Sequence, residues 1–266
     1  MQQLDRIQAR MHGLVELGEL MRALRVLAAA HLAEAQAALP AALAYRQTLR
    51  DAWSALPAVA SPPRTGEPLR LLIGAEHGFT GAYTERLLAA ARTGFGPLAL
   101  VGRRACARAT ERKLTLLWSE EMSTRPATVP DLARRLAAHL KASDHPVTLV
   151  HAVYRQGSRF ELDTRPIWPL PAAIDAPASA DRPRTQLPAE LLRAGIADAL
   201  LIAELSVALV EALASENAAR MTVLDAAEHT LEGKLAVLKV EERSARQSAI
   251  TAELLDVVTG AEAQRG

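Results

Sequence analysis

A single cysteine, Cys106, stands in a chain of 266 residues, so no intrachain disulfide can form. With no metal-ligand spacing around it, the thiol reads as a small core residue of a reducing compartment. Charge of one sign is also lacking. The 31 basic and 30 acidic residues leave a net charge of +1, which does not single out nucleic acid as a partner. Long apolar runs are missing too: the richest stretch, residues 199–213, is broken by Glu204 and Glu211, short of the roughly 18–20 residues that span a bilayer. Membrane association is therefore expected only through partners. The opening residues alternate charged and apolar side chains, unlike a secretory signal.

Proline and aromatic residues are absent from both ends. No proline precedes Pro40 or follows Pro188, and no aromatic precedes Tyr45 or follows Trp168. Proline breaks helices and aromatics fill compact cores, so ends free of both predict long helices packed along a narrow seam. Leu4, Ile7, Met11 and Leu14 alternate three and four apart, and the series is expected to resume through Leu17, Leu20, Leu24 and Leu27 after a phase shift at Gly18. A helix over 4–56 would be about 80 Å long, with Pro40 as a kink or break.

At the other end Leu224, Leu231 and Leu238 fall seven apart with Leu235 between them, and Ile250, Leu254 and Val257 continue the stripe. Residues 187–259 predict roughly 100 Å of helix, interrupted near Gly195. Two such rods pair most economically as an antiparallel coiled coil. Between them, residues 69–75, 97–101, 114–118 and 146–154 have strand character, with a further strand over 159–162. Residues 80–91, 103–112 and 129–142 have helical composition. The alternation implies a small α/β sandwich with a largely parallel sheet, followed by a proline-rich linker over 166–188. The expected organisation is an N-terminal coiled-coil helix (1–60), an inserted α/β domain (69–170) and a C-terminal coiled-coil helix (187–266).

Reactive chemistry is sparse. Gly78 and Gly81, in Glu76-His77-Gly78-Phe79-Thr80-Gly81-Ala82-Tyr83, follow a strand and open a helix, where phosphate loops sit. A Walker loop needs Lys and Ser or Thr after its last glycine, and a dinucleotide fingerprint needs three glycines; Ala82 and Tyr83 stand there instead. A tight structural turn is the simpler reading. His12, His31, His77, His139, His145, His151 and His229 are scattered without metal-ligand spacing and read as surface or packing residues. Asp144 and His145 precede a proline and belong to a turn. No catalytic residue and no cofactor is expected.

The C-terminal helix carries Leu213-Ala214-Ser215-Glu216-Asn217-Ala218-Ala219-Arg220-Met221, then Ala245-Arg246-Gln247-Ser248-Ala249-Ile250-Thr251-Ala252-Glu253-Leu254, then Val258-Thr259-Gly260-Ala261. These resemble the signature segments of the gamma subunit of F-type ATP synthases, in the right order. Met21-Arg22-Ala23-Leu24 with Leu27-Ala28-Ala29-Ala30, the Gly78 to Tyr83 turn, and Trp168-Pro169-Leu170 extend the likeness along almost the whole chain. Departures exist. Arg25-Val26-Leu27-Ala28-Ala29-Ala30 replaces a lysine-rich stretch, Thr80 stands where a cysteine is usual, and Glu242-Arg243-Ser244-Ala245 replaces an Asn-Lys pair. They point to a divergent branch, such as an alternative bacterial rotary ATPase.

The resemblance implies a non-catalytic rotor that couples ion flow to ATP chemistry, its tip within a ring of alpha and beta subunits, and its inserted domain near the epsilon subunit and the membrane c-type ring. It implies a peripheral position on the cytoplasmic face of the bacterial inner membrane. Arg22, Arg25, Arg220, Arg246, Gln247 and Thr251 are the residues it marks as contacts to the ring. Taken by themselves, Glu216 with Arg220 and Glu242 with Arg246 are i,i+4 pairs of the kind that are usually solvated. A ligand-binding α/β domain at Gly78 to Gly81, or a self-associating coiled-coil adaptor, are the rival readings; neither accounts for the C-terminal segments.

Overall fold

The computed structural model describes residues 2–58, 64–91, 96–155, 159–171 and 185–263. Its elements are α1 (Gln2–Ala55), β1 (Leu69–Ile73), α2 (Tyr83–Ala91), β2 (Leu98–Val101), α3 (Arg103–Glu111), β3 (Trp118–Glu120), α4 (Val129–Ala142), β4 (Val147–Arg155), β5 (Arg159–Trp168) and α5 (Ala189–Ala263). A mixed α/β sheet thus lies between a long N-terminal and a long C-terminal helix in sequence. By its contacts the chain divides into two compact units, one of residues 1–27 and 223–266, the other of residues 28–222.

In the first unit the helices run antiparallel, because Gln8 Nε2 donates to Glu242 at 3.0 Å and Arg22 Nε donates to Glu228 at 2.9 Å. The seam on α5 keeps a seven-residue repeat: Leu224, Leu231 and Leu238 are buried, and Glu228, Leu235, Glu242, Ala245 and Ala249 are half-buried between and after them. A strict heptad on one helix imposes the same period on its partner. Accordingly the expected phase shift at Gly18 does not occur. The half-buried row on α1 is Leu4, Ile7, Met11, Leu14, Gly18, Met21 and Arg25, with Leu24 half-buried beside Arg25; of the expected second series it leaves Leu17, Leu20 and Leu27 39%, 56% and 51% exposed. Glu228 on the seam explains the choice, since Arg22 and Arg25 must both face it, Arg25 Nε at 3.3 Å.

Ile250, Leu254 and Val257 do not continue the buried stripe either; all three are more than half exposed. The groove that holds Leu4 and Ile7 ends at Ser248 and Ala249 on α5. Beyond those residues α5 has no helix beside it among the described residues, so its apolar end stays open. The side chains of Thr259, Gly260 and Ala261 lie outside the described residues.

In the second unit the strand order is β3-β2-β1-β4-β5, the first four parallel and β5 antiparallel to β4. The pleat sorts the core into two layers. Leu69, Leu71 and Ile73 of β1, with Val147 and Leu149 of β4, pack with α4 and with Leu201, Leu205, Leu209 and Leu213 of α5. Leu72, Leu100 and Val150 face Tyr83, Leu87 and Leu88 of α2 and Ala105 and Ala109 of α3. Ala28 and Ala35 of α1 are buried, and Leu32 and Leu39 pack against the first layer. By length and composition alone α1 would pass as a membrane span; here those alanines let it approach protein closely.

Several boundaries move for local reasons. Phe79 and Gly81 have φ of 60° and 56°, which a helix cannot contain, so α2 begins at Tyr83 instead of residue 80. The strand predicted over 114–118 is displaced to β3, because Leu117 N–H donates to Leu98 O at 2.7 Å and starts the ladder there; Leu114 and Leu116 pack on the second layer instead. β5 runs past 162 to Trp168 and takes in Pro166, which an edge strand tolerates at a bulge. Residues 172–184 of the expected linker lie outside the described residues. Pro40 does not break α1; it is exposed, and so is Gln36, whose carbonyl loses its helical donor where water can replace it. Gly195 does not interrupt α5.

A Cβ added at Gly18 or at Gly233 would meet nothing within 4 Å. Each glycine therefore only weakens its helix, and Gly18→Ala and Gly233→Ala are each expected to raise the unfolding free energy of the isolated chain by about 0.5–1 kcal/mol. Urea titration followed by circular dichroism measures this; a loss of stability would mean that the seam closes more tightly than the backbone spacing indicates.

Candidate functional site

The two signature segments of α5 fall in different units and have opposite environments. In the second unit Ser215, Glu216, Asn217 and Arg220 are all at most 7% exposed. Ser215 Oγ donates to Ala152 O of β4 at 3.0 Å. Glu216 accepts the backbone N–H groups of Glu76 and His77 at 3.0 and 3.1 Å. Arg220 pairs with Glu216, donates from Nη1 to Asn217 Oδ1 at 2.8 Å, and from Nε to Gly78 O at 3.1 Å. The i,i+4 pair expected to be solvated is thus a buried clamp on the turn after β1. The reason is that α5 is apolar on nearly every side there, with Leu205, Val207, Leu209, Ala212 and Leu213 buried around the pair.

The turn passes the grip onward. Burial pushes the Glu76 carboxyl up, but the backbone N–H groups of Arg103 and Met122 and the Arg103 guanidinium outweigh it and hold the group below its ordinary value. Arg103 N–H donates at 3.0 Å and Met122 N–H at 2.9 Å. Gly102 (φ 109°) makes this possible: a Cβ there would lie 2.6 Å from Ala75 O. At Gly74 a Cβ would lie 2.3 Å from Ala105 Cβ. Spacing alone marks Gly78 and Gly81, whereas the glycines of close approach around this turn are Gly74 and Gly102. Nothing in the sequence marks Glu76 except an acid between a strand and a glycine turn.

Of the other residues the resemblance marks, Arg246, Gln247 and Thr251 are exposed together on α5 in the first unit. Arg246 Nη2 donates to Glu242 at 2.7 Å, and Thr251 Oγ1 to Gln247 O at 2.9 Å. Arg22 and Arg25 meet Glu228 and Asp225 across the seam, Arg25 Nη1 lying 3.4 Å from Asp225 Oδ1. Arg220 belongs to neither group; its guanidinium is committed inside the second unit.

Two further buried polar centres carried no sequence signal. Glu204 of α5 receives Arg50 Nε at 2.7 Å and Arg165 Nη1 at 2.6 Å, with Arg46 at 3.5 Å. His151, wholly buried on β4, has Nε2 2.7 Å from Glu211 and Nδ1 3.8 Å from Asp163. Among the described residues no group of three or more His, Cys, Asp or Glu side chains is placed to hold a metal. Cys106 is half-buried, and burial raises its thiol pKa.

A family model described as ATP synthase matches residues 3–264. The ATP synthase gamma chain of Geotalea daltonii is 26% identical over the whole of both chains, and that of Moorella thermoacetica 27% identical over 97% of each. A chain of the Euglena gracilis mitochondrial ATP synthase (OSCP, F1 and c-ring, rotational state 3) has the same fold, with a TM-score of 0.73 at 16% identity, covering 98% of this chain and 94% of that one. A chain of that enzyme's rotor gives 0.67 at 14% identity over 93% and 99%.

Because the folded carboxyl of Glu76 is held below its unfolded value, its stabilisation is complete above the ordinary carboxylate range and is lost as pH falls through the lowered value. Glu76→Gln is expected to cost about 2 kcal/mol at pH 7, with a smaller deficit near pH 3, where the wild type also loses the contribution. Urea unfolding at the two pH values checks this; a deficit independent of pH would exclude the ionised carboxylate as its source.

Proposed function

This chain belongs to the gamma-chain family of ATP synthases, and from that premise we propose how its helices and sheet are used. It is the central-stalk rotor subunit of an ATP synthase, a non-catalytic part of a complex that couples transmembrane ion flow to ATP synthesis or hydrolysis. Its partners are the alpha and beta subunits of the catalytic ring, the epsilon subunit and the membrane c-type ring. It is a peripheral member of the membrane-associated assembly. The observation that carries this is a match over nearly the whole chain, both long helices and the intervening sheet included.

Within that frame, residues 1–60 and 187–266 are read as the shaft and residues 69–170 as the inserted domain. The open apolar end of α5, with Ile250, Leu254, Leu255, Val257 and Val258 each more than half exposed, supports a partner that covers it, since an isolated chain rarely leaves such a patch in water. Arg246, Gln247 and Thr251 beside that end, and Arg22 and Arg25 in the same unit, are the polar contacts proposed to face the ring. Arg220 is assigned instead to holding the turn after β1. Full-length bacterial relatives support a place on the cytoplasmic face of the bacterial inner membrane, and the departures in the N-terminal helix support a divergent branch.

Replacing Gln247 and Thr251 together by Ala removes two exposed hydrogen-bonding groups without touching a buried one. The double variant is expected to lower ATPase activity of the reconstituted complex about fivefold or more, at about 1 kcal/mol per lost contact, while the helicity of the isolated chain is unchanged. Unaltered activity would remove both residues from the contact set. Capture of the tagged chain from native membranes tests the wider reading. Recovery with ATPase alpha, beta and epsilon-type subunits supports it, and recovery of the chain alone opposes it.

A further inference from the structure

In parallel α/β sheets a ligand commonly sits in the crevice outside the carboxyl ends of the strands, at the point where strand order reverses. Here the order β3-β2-β1-β4 places that point beside β1, and Glu76 lies three residues beyond its end. We infer that Glu76 is a built-in anionic ligand, its carboxylate filling an oxyanion cradle that the fold would otherwise offer to a free carboxylate or phosphate-class anion.

The cradle has donors from two separate segments. Arg103 N–H, at the amino end of α3, and Met122 N–H, just past β3, converge on Glu76 Oε2 at 3.0 and 2.9 Å, while the Arg103 guanidinium holds Oε1. The start of α3 adds its dipole. The Glu76 side chain is only 3% exposed, so it occupies the cradle instead of lying across its mouth. Gly74 and Gly102 permit the close approach of strand end and helix start, as glycines do where backbone must close around an anion. On the other side the Glu76 and His77 N–H groups, which a phosphate loop would turn to its ligand, are spent on Glu216. Two buried internal carboxylates, their side chains 3% and 2% exposed, thus take the places of external oxygens, and the backbone donors that would meet another anion are already occupied. Glu121, 4.0 Å from Arg103, is exposed and lies outside the cradle.

The test is thermal unfolding of the full chain at pH 7 in chloride, formate or inorganic phosphate at equal ionic strength. Glu76→Ala is expected to melt below the wild type, and formate or phosphate to raise its midpoint along a saturable curve, by about 3–6 °C at ten times the dissociation constant. The wild type and Glu76→Gln, whose amide still fills the space, are expected to show no saturable rise. If Glu76→Ala does not fold in chloride, its refolding yield in formate against chloride is read instead. Rescue by either anion, confined to Glu76→Ala, supports the inference. Rescue by neither, or an equal shift in the wild type, overturns it.

Discussion

A carboxylate taken out of water must be repaid by donors, and in the second unit Glu216 obtains them from the backbone of the turn after β1 and from Arg220. That demand organises what lies around it. The turn held by Glu216 aims Glu76 at the starts of the segments following β2 and β3, so the carboxyl ends of three strands are tied to one helix through two acids. Gly74 and Gly102 follow from the same closeness. Tyr83, whose hydroxyl lies 3.4 Å from Ala212 O, is pushed well above its ordinary pKa, first by burial and then by Glu216. Glu204 applies the same rule elsewhere on α5, collecting guanidinium groups from α1 and β5.

One helix serves two architectures because its surface changes character along its length. Through residues 200–220 α5 is buried on most sides, and its polar side chains are internal ties. From Leu224 to Ala249 it offers a single heptad stripe to α1, with Glu228 and Glu242 as polar layers in an apolar seam. Such layers cost stability relative to leucine and gain register, which is why Arg25 lies on the seam while Leu20 and Leu27 lie in water. Past Ala249 the stripe has no helix beside it among the described residues, and an apolar end left open in a single chain is the kind of surface that a partner completes. The rotor reading gives that surface its occupant.

Much of this was legible beforehand because it is local. The absence of proline and aromatics from the ends forecast the long helices, and apolar runs between turns forecast β1, β2 and β4 nearly in place. Sequence and structure part where a non-local interaction decides. Leu17, Leu20, Leu24 and Leu27 form as good a stripe as the one that is used, yet only Leu24 stays half-buried, because the heptad of α5 and its Glu228 select the other row. The run over 114–118 has strand composition, yet the ladder that starts at Leu117 sets β3 later.

Two pairs on the same helix show where the boundary lies. Glu216 with Arg220 and Glu242 with Arg246 are both a carboxylate and a guanidinium four residues apart, and from the sequence they are equivalent. The side chains of the first pair are 2% and 9% exposed, those of the second 19% and 58%. Helix, spacing and family membership were determined by the order of residues alone, since each depends on near neighbours or on the string itself. Whether a charge became a buried tie or a solvated contact was decided by tertiary structure, because desolvation depends on what packs over a group, and that comes from distant parts of the chain.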